Sequence, residues 1–181
     1  IAGILTQVAD SLRISDGQAG NLITAYALAI GVGGPLLTLG LARFERKTAL
    51  LGLMVLFVIG NVISATTDNY TLLLASRVVT GLTQGPFYGI GAVMAAGLVS
   101  DKMAGRAVGQ MFAGLTLANV LGVPAGSWIG NAFGWNMTFW AVSILGVIAI
   151  AAIAYVVPRG AIEAKPVSIS EQIGAFRNSQ L

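Results

Sequence analysis

One cation, Arg77, lies in the middle of the otherwise apolar stretch YTLLLASRVVTGLTQGPFYGIGAV, residues 70–93. An arginine stays protonated at ordinary pH, so it cannot release a proton itself, but it can stabilise a nearby carboxylate or attract an anionic group. At the centre of a membrane-spanning helix it costs roughly 2.5 to 3.5 kcal/mol, so we expect it to face protein or a water-filled cavity. The structural alternative is that Arg77 bonds backbone carbonyls or Gln84 and holds helices together.

The side chains that usually bind metal ions or carry protons are scarce in this sequence. It contains no His and no Cys, which excludes thiolate sites and removes the commonest metal ligand. Its seven acidic residues fall outside the apolar stretches, at Asp10, Asp16, Glu45, Asp68, Asp101, Glu163 and Glu171. Because no nucleophile–base pair or phosphate-binding loop is apparent, we predict that the protein is not an enzyme and has no metal site and no cofactor.

The composition is that of a membrane protein. Of the 181 residues, 56% are hydrophobic and 9% are charged, and the mean hydropathy is +0.83. The charges separate apolar windows of roughly 17 to 25 residues, the length at which a helix crosses about 30 Å of hydrocarbon. We predict helical spans at about 18–41, 48–65, 70–99, 107–129 and 139–157.

The basic residues predict the orientation of these spans. If the spans alternate in direction, eight of the ten Lys and Arg residues share one side: Arg43, Arg46, Lys47, Lys102, Arg106, Arg159, Lys165 and Arg177. Arg13 lies on the other side and Arg77 lies within a span. The positive-inside rule therefore places the basic loops in the cytoplasm. Since these residues flank apolar spans, we expect the lipid bilayer, and not nucleic acid, as their partner.

Both ends of the chain are interpreted as parts of larger elements. The residues before Asp10 are typical of the tail of a span, so we treat the chain as a fragment. The segment 158–181 is polar and begins at Pro158, as expected for a linker. In it Ser168 and Glu171 fit a capping box, and apolar residues recur at helical spacing, which favours a short amphipathic helix on the membrane surface. A disordered linker is the alternative.

Small residues recur every four positions in two of the spans. One stripe is formed by Arg77, Gly81, Gly85 and Gly89, and the other by Gly114, Ala118, Gly122, Gly126 and Gly130. Such stripes allow two helix backbones to approach closely in lipid. With Pro86 and Pro124 they also indicate helices that can bend during a conformational cycle, and the two interpretations are compatible. The spans 48–65 and 139–157 are nearly all aliphatic and aromatic, so we expect them to face mainly lipid.

Four passages, in this order and at this spacing, resemble the major facilitator superfamily, in particular its twelve-span drug:proton antiporters and their arabinose-efflux-permease-like branch. The passage AGNLITAYALAIGVGGPLLT, residues 19–38, is similar to the second family helix, and GLARFERKTALL, residues 40–51, to the loop that follows it. LLLASRVVTGLTQG, residues 72–85, is similar to the fourth helix. LANVLGVPAGSWIGNAFGWNMTFW, residues 117–140, is similar to the antiporter motif of the fifth helix.

Two of these motifs depart from the family pattern. In the loop after the second helix, Arg43 stands where the family usually has Asp, and Glu45 where it usually has Gly. Gly40, Arg46 and Lys47 match. That loop forms a charge latch in the family, so here we expect a rewired latch that uses Glu45. In the fifth-helix motif, Val123 separates the usual Gly-Pro pair, Gly122 and Pro124.

The resemblance implies an all-α integral membrane fold. Residues 1–157 would be the six-helix N-terminal bundle with its first helix mostly missing, and residues 158–181 the start of the central cytoplasmic linker. Family helices one, two, four and five would flank a cavity, helices three and six would lie outside, and a C-terminal six-helix half would complete the protein.

The resemblance also implies roles for particular residues. Arg77 would take part in proton coupling, and the gating loop would comprise Gly40, Arg43, Glu45, Arg46 and Lys47. The helix-packing and antiporter motifs would comprise Gly81, Gly85, Gly122, Pro124, Gly126 and Gly130. Polar groups on the cavity-side helices, Tyr26, Gln84, Tyr88 and Asn119, are candidate substrate-cavity residues, and an interhelical hydrogen bond is the alternative for each.

The function we predict is secondary active transport by alternating access: proton-coupled export of a small molecule, a drug or a sugar, across a bacterial inner membrane. The proton would be the coupling ion. An importer or facilitator of the same fold is the nearest alternative, and a membrane subunit without transport activity is the alternative from another class.

Overall fold

A computed structural model describes residues 2–158, and over these residues the chain is helical apart from short connections. A 3₁₀ turn, Ala2–Ile4, precedes α1 (Leu5–Leu12), α2 (Asp16–Leu28), a π-helical turn (Ala29–Gly33) and α3 (Gly34–Leu41). The longer helices follow: α4 (Arg46–Thr66), α5 (Tyr70–Gly97), α6 (Asp101–Phe133) and α7 (Trp135–Val156). The predicted all-α fold is confirmed. The predicted linker beyond Pro158, with its amphipathic helix, lies outside the described residues.

Four helical stretches of the described chain are long and apolar enough to cross a membrane: Asp16–Leu41, Arg46–Thr66, Asp101–Phe133 and Trp135–Val156. The helix α5, which we also predicted as a span, is not among them, because Arg77, Gln84 and its threonines lower its apolar content. Its 28 residues make it about 42 Å long, enough to cross a bilayer. Several polar side chains of α5, those of Ser76, Arg77, Thr80 and Thr83, are buried inside the bundle.

Two connections are shorter than predicted. The predicted polar loop 100–106 is mostly the first turns of α6, because Ser100 is extended and Asp101 places a carboxylate in the first turn, where the helix dipole favours it. The predicted turn 131–138 contracts to one residue, Gly134, at φ 93°. Glycine adopts this backbone conformation without strain, so α6 ends and α7 begins on either side of it.

The apolar core lies at the end of the bundle where α1 meets α2. Its buried residues come from five helices and the 3₁₀ turn: Ile4, Val8, Leu22, Ala65, Leu73, Trp135 and Phe139. Ser15 begins α2 with the capping box that it forms with Gln18, and the hydroxyl of Tyr70 donates to Gln18 O at 3.0 Å. These bonds fix the start of α2 against the start of α5.

Burial differs between α4 and α6. α4 lies between α5 and α7, so one face is buried, including Leu50, Leu53 and Asn61, while Val55 and Ile59 on the other face are exposed. One face of this span therefore contacts protein, and the expectation that the helix faces mainly lipid stays a prediction. On α6, by contrast, only Gly130 is buried within the described residues.

Candidate functional site

Arg77 is on α5, and its side chain lies inside the bundle against α4 and α7. Its side chain is only 6% exposed. Its Nη2 donates to Ser64 Oγ, and to Asn61 Oδ1 at 3.4 Å. These two acceptors lie three residues apart on α4 and therefore face the same way. The partners of the guanidinium are thus side chains of a neighbouring helix, and not the backbone carbonyls or Gln84 of the structural alternative.

Two further contacts complete the surroundings of Arg77. The hydroxyl oxygens of Ser64 and Ser76 are 2.7 Å apart, which links α4 to the residue preceding Arg77. The guanidinium carbon is 4.6 Å from the centroid of the Phe139 ring, a distance at which the ring face attracts a cation. The buried Nε of Arg77 has no acceptor among the described residues.

The sequence indicated Arg77 but not its partners. Asn61 is one of the few polar residues in the span 48–65, and Ser64 follows it at a helical spacing. Two polar side chains on one face of an apolar helix could have predicted a buried polar partner on the next helix. Phe139 gave no such signal, because nothing distinguishes it from the other aromatic residues of its span.

Three of the four predicted cavity residues come together. The Tyr26 hydroxyl donates to Gln84 Oε1, and Gln84 Nε2 donates to the Tyr88 hydroxyl at 3.5 Å. This polar row, Tyr26–Gln84–Tyr88, lines a cavity of about 280 Å³ whose other walls are apolar apart from Thr83. These walls are formed by Leu53, Met54, Phe57, Thr83, Phe87 and Ala149. The cavity therefore combines an apolar surface with a few oriented polar groups.

Asn119 lies apart from this row, in a second cavity of about 390 Å³ that it shares with the small residues Ala118, Gly122 and Gly126 of α6. Its amide donates to Leu115 O of its own helix at 3.1 Å. Tyr26 borders both cavities, whereas Arg77 lines neither.

The gating loop connects α3 to α4. Gly40 is in the last turn of α3, and Arg46 and Lys47 begin α4. Glu45 Oε2 accepts from the Thr48 hydroxyl at 2.8 Å, and the Arg43 guanidinium lies 5.9 Å from the ring centroid of Phe44. Lys47 Nζ donates to Ala154 O near the end of α7 at 2.7 Å. The loop is therefore joined to the last described helix.

The glycine stripes serve close packing at some positions and not at others. A Cβ on Gly81 would lie 2.6 Å from Tyr26 O, and one on Gly85 would lie 3.1 Å from Gly34 Cα. These two glycines bring α5 against α2 and α3. On α6, a Cβ on Gly130 would lie 2.5 Å from Ile4 Cγ2 and one on Gly126 3.2 Å from Thr138 Cγ2, while Gly122 has open space. The α6 helix continues through Pro124.

The sequence matches the family described as Major Facilitator Superfamily over residues 1–180. The inner membrane transport protein YdhP of Escherichia coli (strain K12) is 44% identical over 179 residues, which are 99% of this chain and 46% of YdhP. A chloramphenicol resistance protein of Streptomyces lividans is 34% identical, with 88% of this chain and 41% of that protein covered. The chain thus spans about half the length of these relatives.

A solved structure shows the same fold. The human organic anion transporter MFSD10 (TETRAN) matches with a TM-score of 0.63 and 19% identity, over 90% of this chain and 38% of that one. Since the resemblance of the motifs, the family match and the identity to YdhP agree, this chain belongs to the Major Facilitator Superfamily, a family of transporters and not of enzymes.

Proposed function

We propose that this chain is the N-terminal half of a secondary transporter that exports a small molecule, a drug or a sugar, in exchange for protons. The observation that carries the proposal is the polar row Tyr26–Gln84–Tyr88 along a cavity within an apolar helix bundle. A polyspecific exporter requires such a surface, because apolar walls accept many molecules and a few polar groups orient them. The name of the Streptomyces relative suggests chloramphenicol as a first substrate to test.

Proton coupling requires a group that gains and loses a proton, and Arg77 is not such a group. The acidic residues of the described chain lie at helix ends or in connections, at Asp10, Asp16, Glu45, Asp68 and Asp101. We therefore place the proton carrier in a part of the protein that the described residues do not include. Arg77 would tune that carboxylate through its unpartnered Nε, which could donate a hydrogen bond to the ionised form.

Location and partners follow from the same proposal. The bundle would lie in a bacterial inner membrane, as the name of YdhP states for that relative, with the gating loop on the cytoplasmic side. A second six-helix half would complete the translocation path. In this arrangement the protein would alternate between states open to either side.

Transport by the full-length protein in proteoliposomes tests the proposal. With an acidic interior, a proton antiporter accumulates radiolabelled chloramphenicol or a labelled sugar above the external concentration, and a protonophore abolishes the accumulation. An importer driven by proton symport accumulates the probe only when the exterior is acidic, and a facilitator only equilibrates it. Liposomes without protein provide the baseline. Flux at this baseline for every probe and gradient would contradict a transport function.

A further inference from the structure

The helices α4 and α7 lie side by side in opposite directions. Gly146 of α7 packs against α4 so closely that a Cβ there would lie 2.6 Å from Val58 Cγ2. Contacts at both ends of the pair show that the start of each helix lies beside the end of the other. Antiparallel helices place the partial positive charge of each N-terminus near the partial negative charge of the other C-terminus, which favours this arrangement.

At one end of the pair, Lys47 compensates for a missing donor. In a continuing helix, the carbonyl of Ala154 would accept from the amide four residues later, but that residue is Pro158, which has no N–H. Lys47 Nζ donates to this carbonyl at 2.7 Å. Lys47 is the second residue of α4, so the start of α4 caps the end of α7.

At the other end, Asn136 makes the equivalent contact. The carbonyl of Ala65 would accept from the amide of Asn69, but that amide donates to Thr67 Oγ1 at 3.1 Å. Asn136 Nδ2 donates to Ala65 O at 3.0 Å. Asn136 is the second residue of α7. Each helix therefore uses its second residue to cap a carbonyl in the last turn of the other.

From this reciprocity we propose that Lys47 and Asn136 are positioning residues that hold α4 and α7 together as one rigid pair, so that the gating loop and the end of α7 move together. Both capped carbonyls lack a partner within their own helix, so the two side chains satisfy groups that would otherwise be unpaired. Because the two caps lie at opposite ends of the pair, they oppose both sliding of one helix along the other and separation of the helix ends. One cap alone would leave the other end free to separate. The inference concerns the rigidity of the pair and does not depend on which substrate is carried or on transport itself.

Amide hydrogen exchange in the full-length protein in nanodiscs tests the two caps. Lys47→Met should speed exchange in the last turn of α7, at 153–157, about two- to fivefold, the effect of losing a favourable charge at a helix C-terminus. Asn136→Leu should do the same for the last turn of α4, at 63–67. Lys47→Arg retains a cationic donor and should restore slow exchange. The matched controls, Lys102→Met and Asn21→Leu, make the same replacements at side chains for which the structure gives no hydrogen bond.

Distances between spin labels test the rigid pair. Cysteines introduced at Ile59 on α4 and Ile148 on α7, which are 48% and 58% exposed, would carry the labels in a background without other reactive cysteines. We expect one narrow distance distribution, which broadens in the Lys47→Met, Asn136→Leu double variant and stays narrow in both controls. Faster exchange without broadening would overturn the rigid pair and leave only two local caps. Exchange rates equal to those of the controls would overturn the caps themselves. Neither result would bear on the proposed transport function.

Discussion

The guanidinium carbon of Arg77 lies 4.6 Å from the centroid of the Phe139 ring, while the same guanidinium donates to Ser64 and Asn61. A charge on α5 is thereby stabilised by a ring on α7 and by two side chains on α4. Arg77 is the one positive charge inside the described bundle, and three helices meet around it. This arrangement explains how an arginine is tolerated in an apolar span: its partners lie within the protein and not in lipid.

Replacing Phe139 with leucine should lower the free energy of unfolding of the full-length protein by about 2 kcal/mol, the size of a desolvated cation–π contact. Leucine keeps the site apolar but removes the ring face. Thermal unfolding in detergent would measure the change. Phe133→Leu is the matched control, because Phe133 is 65% exposed, and an equal loss in both variants would show that the cation–π contact is not the cause.

Ser64→Ala should destabilise the protein by about 1.5 to 3 kcal/mol, because a buried charge loses an acceptor. Ser143→Ala offers a matched control: Ser143 is also buried, but its hydroxyl donates to Phe139 O of its own helix. The same thermal unfolding measurement applies. A smaller effect for Ser64 than for Ser143 would mean that Arg77 does not depend on this hydroxyl.

Arg77→Ala should reduce proton-driven accumulation of chloramphenicol about tenfold or more, which corresponds to roughly 1.4 kcal/mol, while equilibration of the probe without a gradient continues. Arg77→Lys keeps the charge but cannot provide the planar set of donors, so we expect it to restore accumulation only in part. Proteoliposomes with an acidic interior measure proton-driven accumulation, and proteoliposomes without a pH gradient measure equilibration. Unchanged proton-driven accumulation in Arg77→Ala would exclude a role for this residue in coupling.

Gly85→Ala should destabilise the contact between α5 and α3 by about 1 to 3 kcal/mol, because the new Cβ meets the backbone of Gly34 and not a side chain that can move. Gly89→Ala, one turn later on the same helix, has no atom within 4 Å of the new Cβ. We expect this control to be neutral, or to gain up to about 1 kcal/mol of helix propensity. Similar losses at both positions would point to helix flexibility and not to packing.

Tyr26→Phe removes the hydroxyl that donates to Gln84 and should weaken binding of a cavity ligand, with chloramphenicol as the probe. The Gln84 amide would lose its fixed orientation, so we expect a loss of about 0.5 to 1.5 kcal/mol, the net value of one hydrogen bond. Equilibrium binding to the full-length protein, measured also for Gln84→Leu and the double variant, gives the coupling energy. Additive effects would mean that the two side chains act separately.

The sequence predicted the helical fold and the family, because apolar windows of spanning length and ordered motifs are local properties of the chain. It also indicated Tyr26, Gln84, Tyr88 and Asn119 as candidate cavity residues, and the structure brings the first three together. Gln84 and Tyr88 lie four residues apart on one helix face, so part of this row is a local property of the chain. The helix ends were harder to predict. The polar residues of 100–106 resemble a loop, although Asp101 favours a helix start, and one glycine was enough for the turn between α6 and α7.

The surroundings of Arg77 could not be predicted in the same way. Its partners Ser64 and Asn61 precede it by 13 and 16 residues, and Phe139 follows it on another helix, so their contact depends on how the helices rotate against one another. The cap of Ala154 by Lys47 joins residues 107 positions apart. Side-chain contacts over such separations follow from tertiary packing and not from a local pattern. The roles of the predicted site residues in transport stay predictions.

The π-helical turn Ala29–Gly33 determines the register between the two halves of the continuous span Asp16–Leu41, which ends at the gating loop. A π-helical turn corresponds to an α-helix with one residue inserted. Deleting one residue from it would rotate all of α3 by about 100° relative to α2. Gly34 would then no longer face Gly85. The chain would also leave the end of α3 in a different direction, so the gating loop with Lys47 would lie on a different side of the bundle. The number of residues in this turn, and not only their identity, therefore determines which surface of the bundle the gating loop contacts.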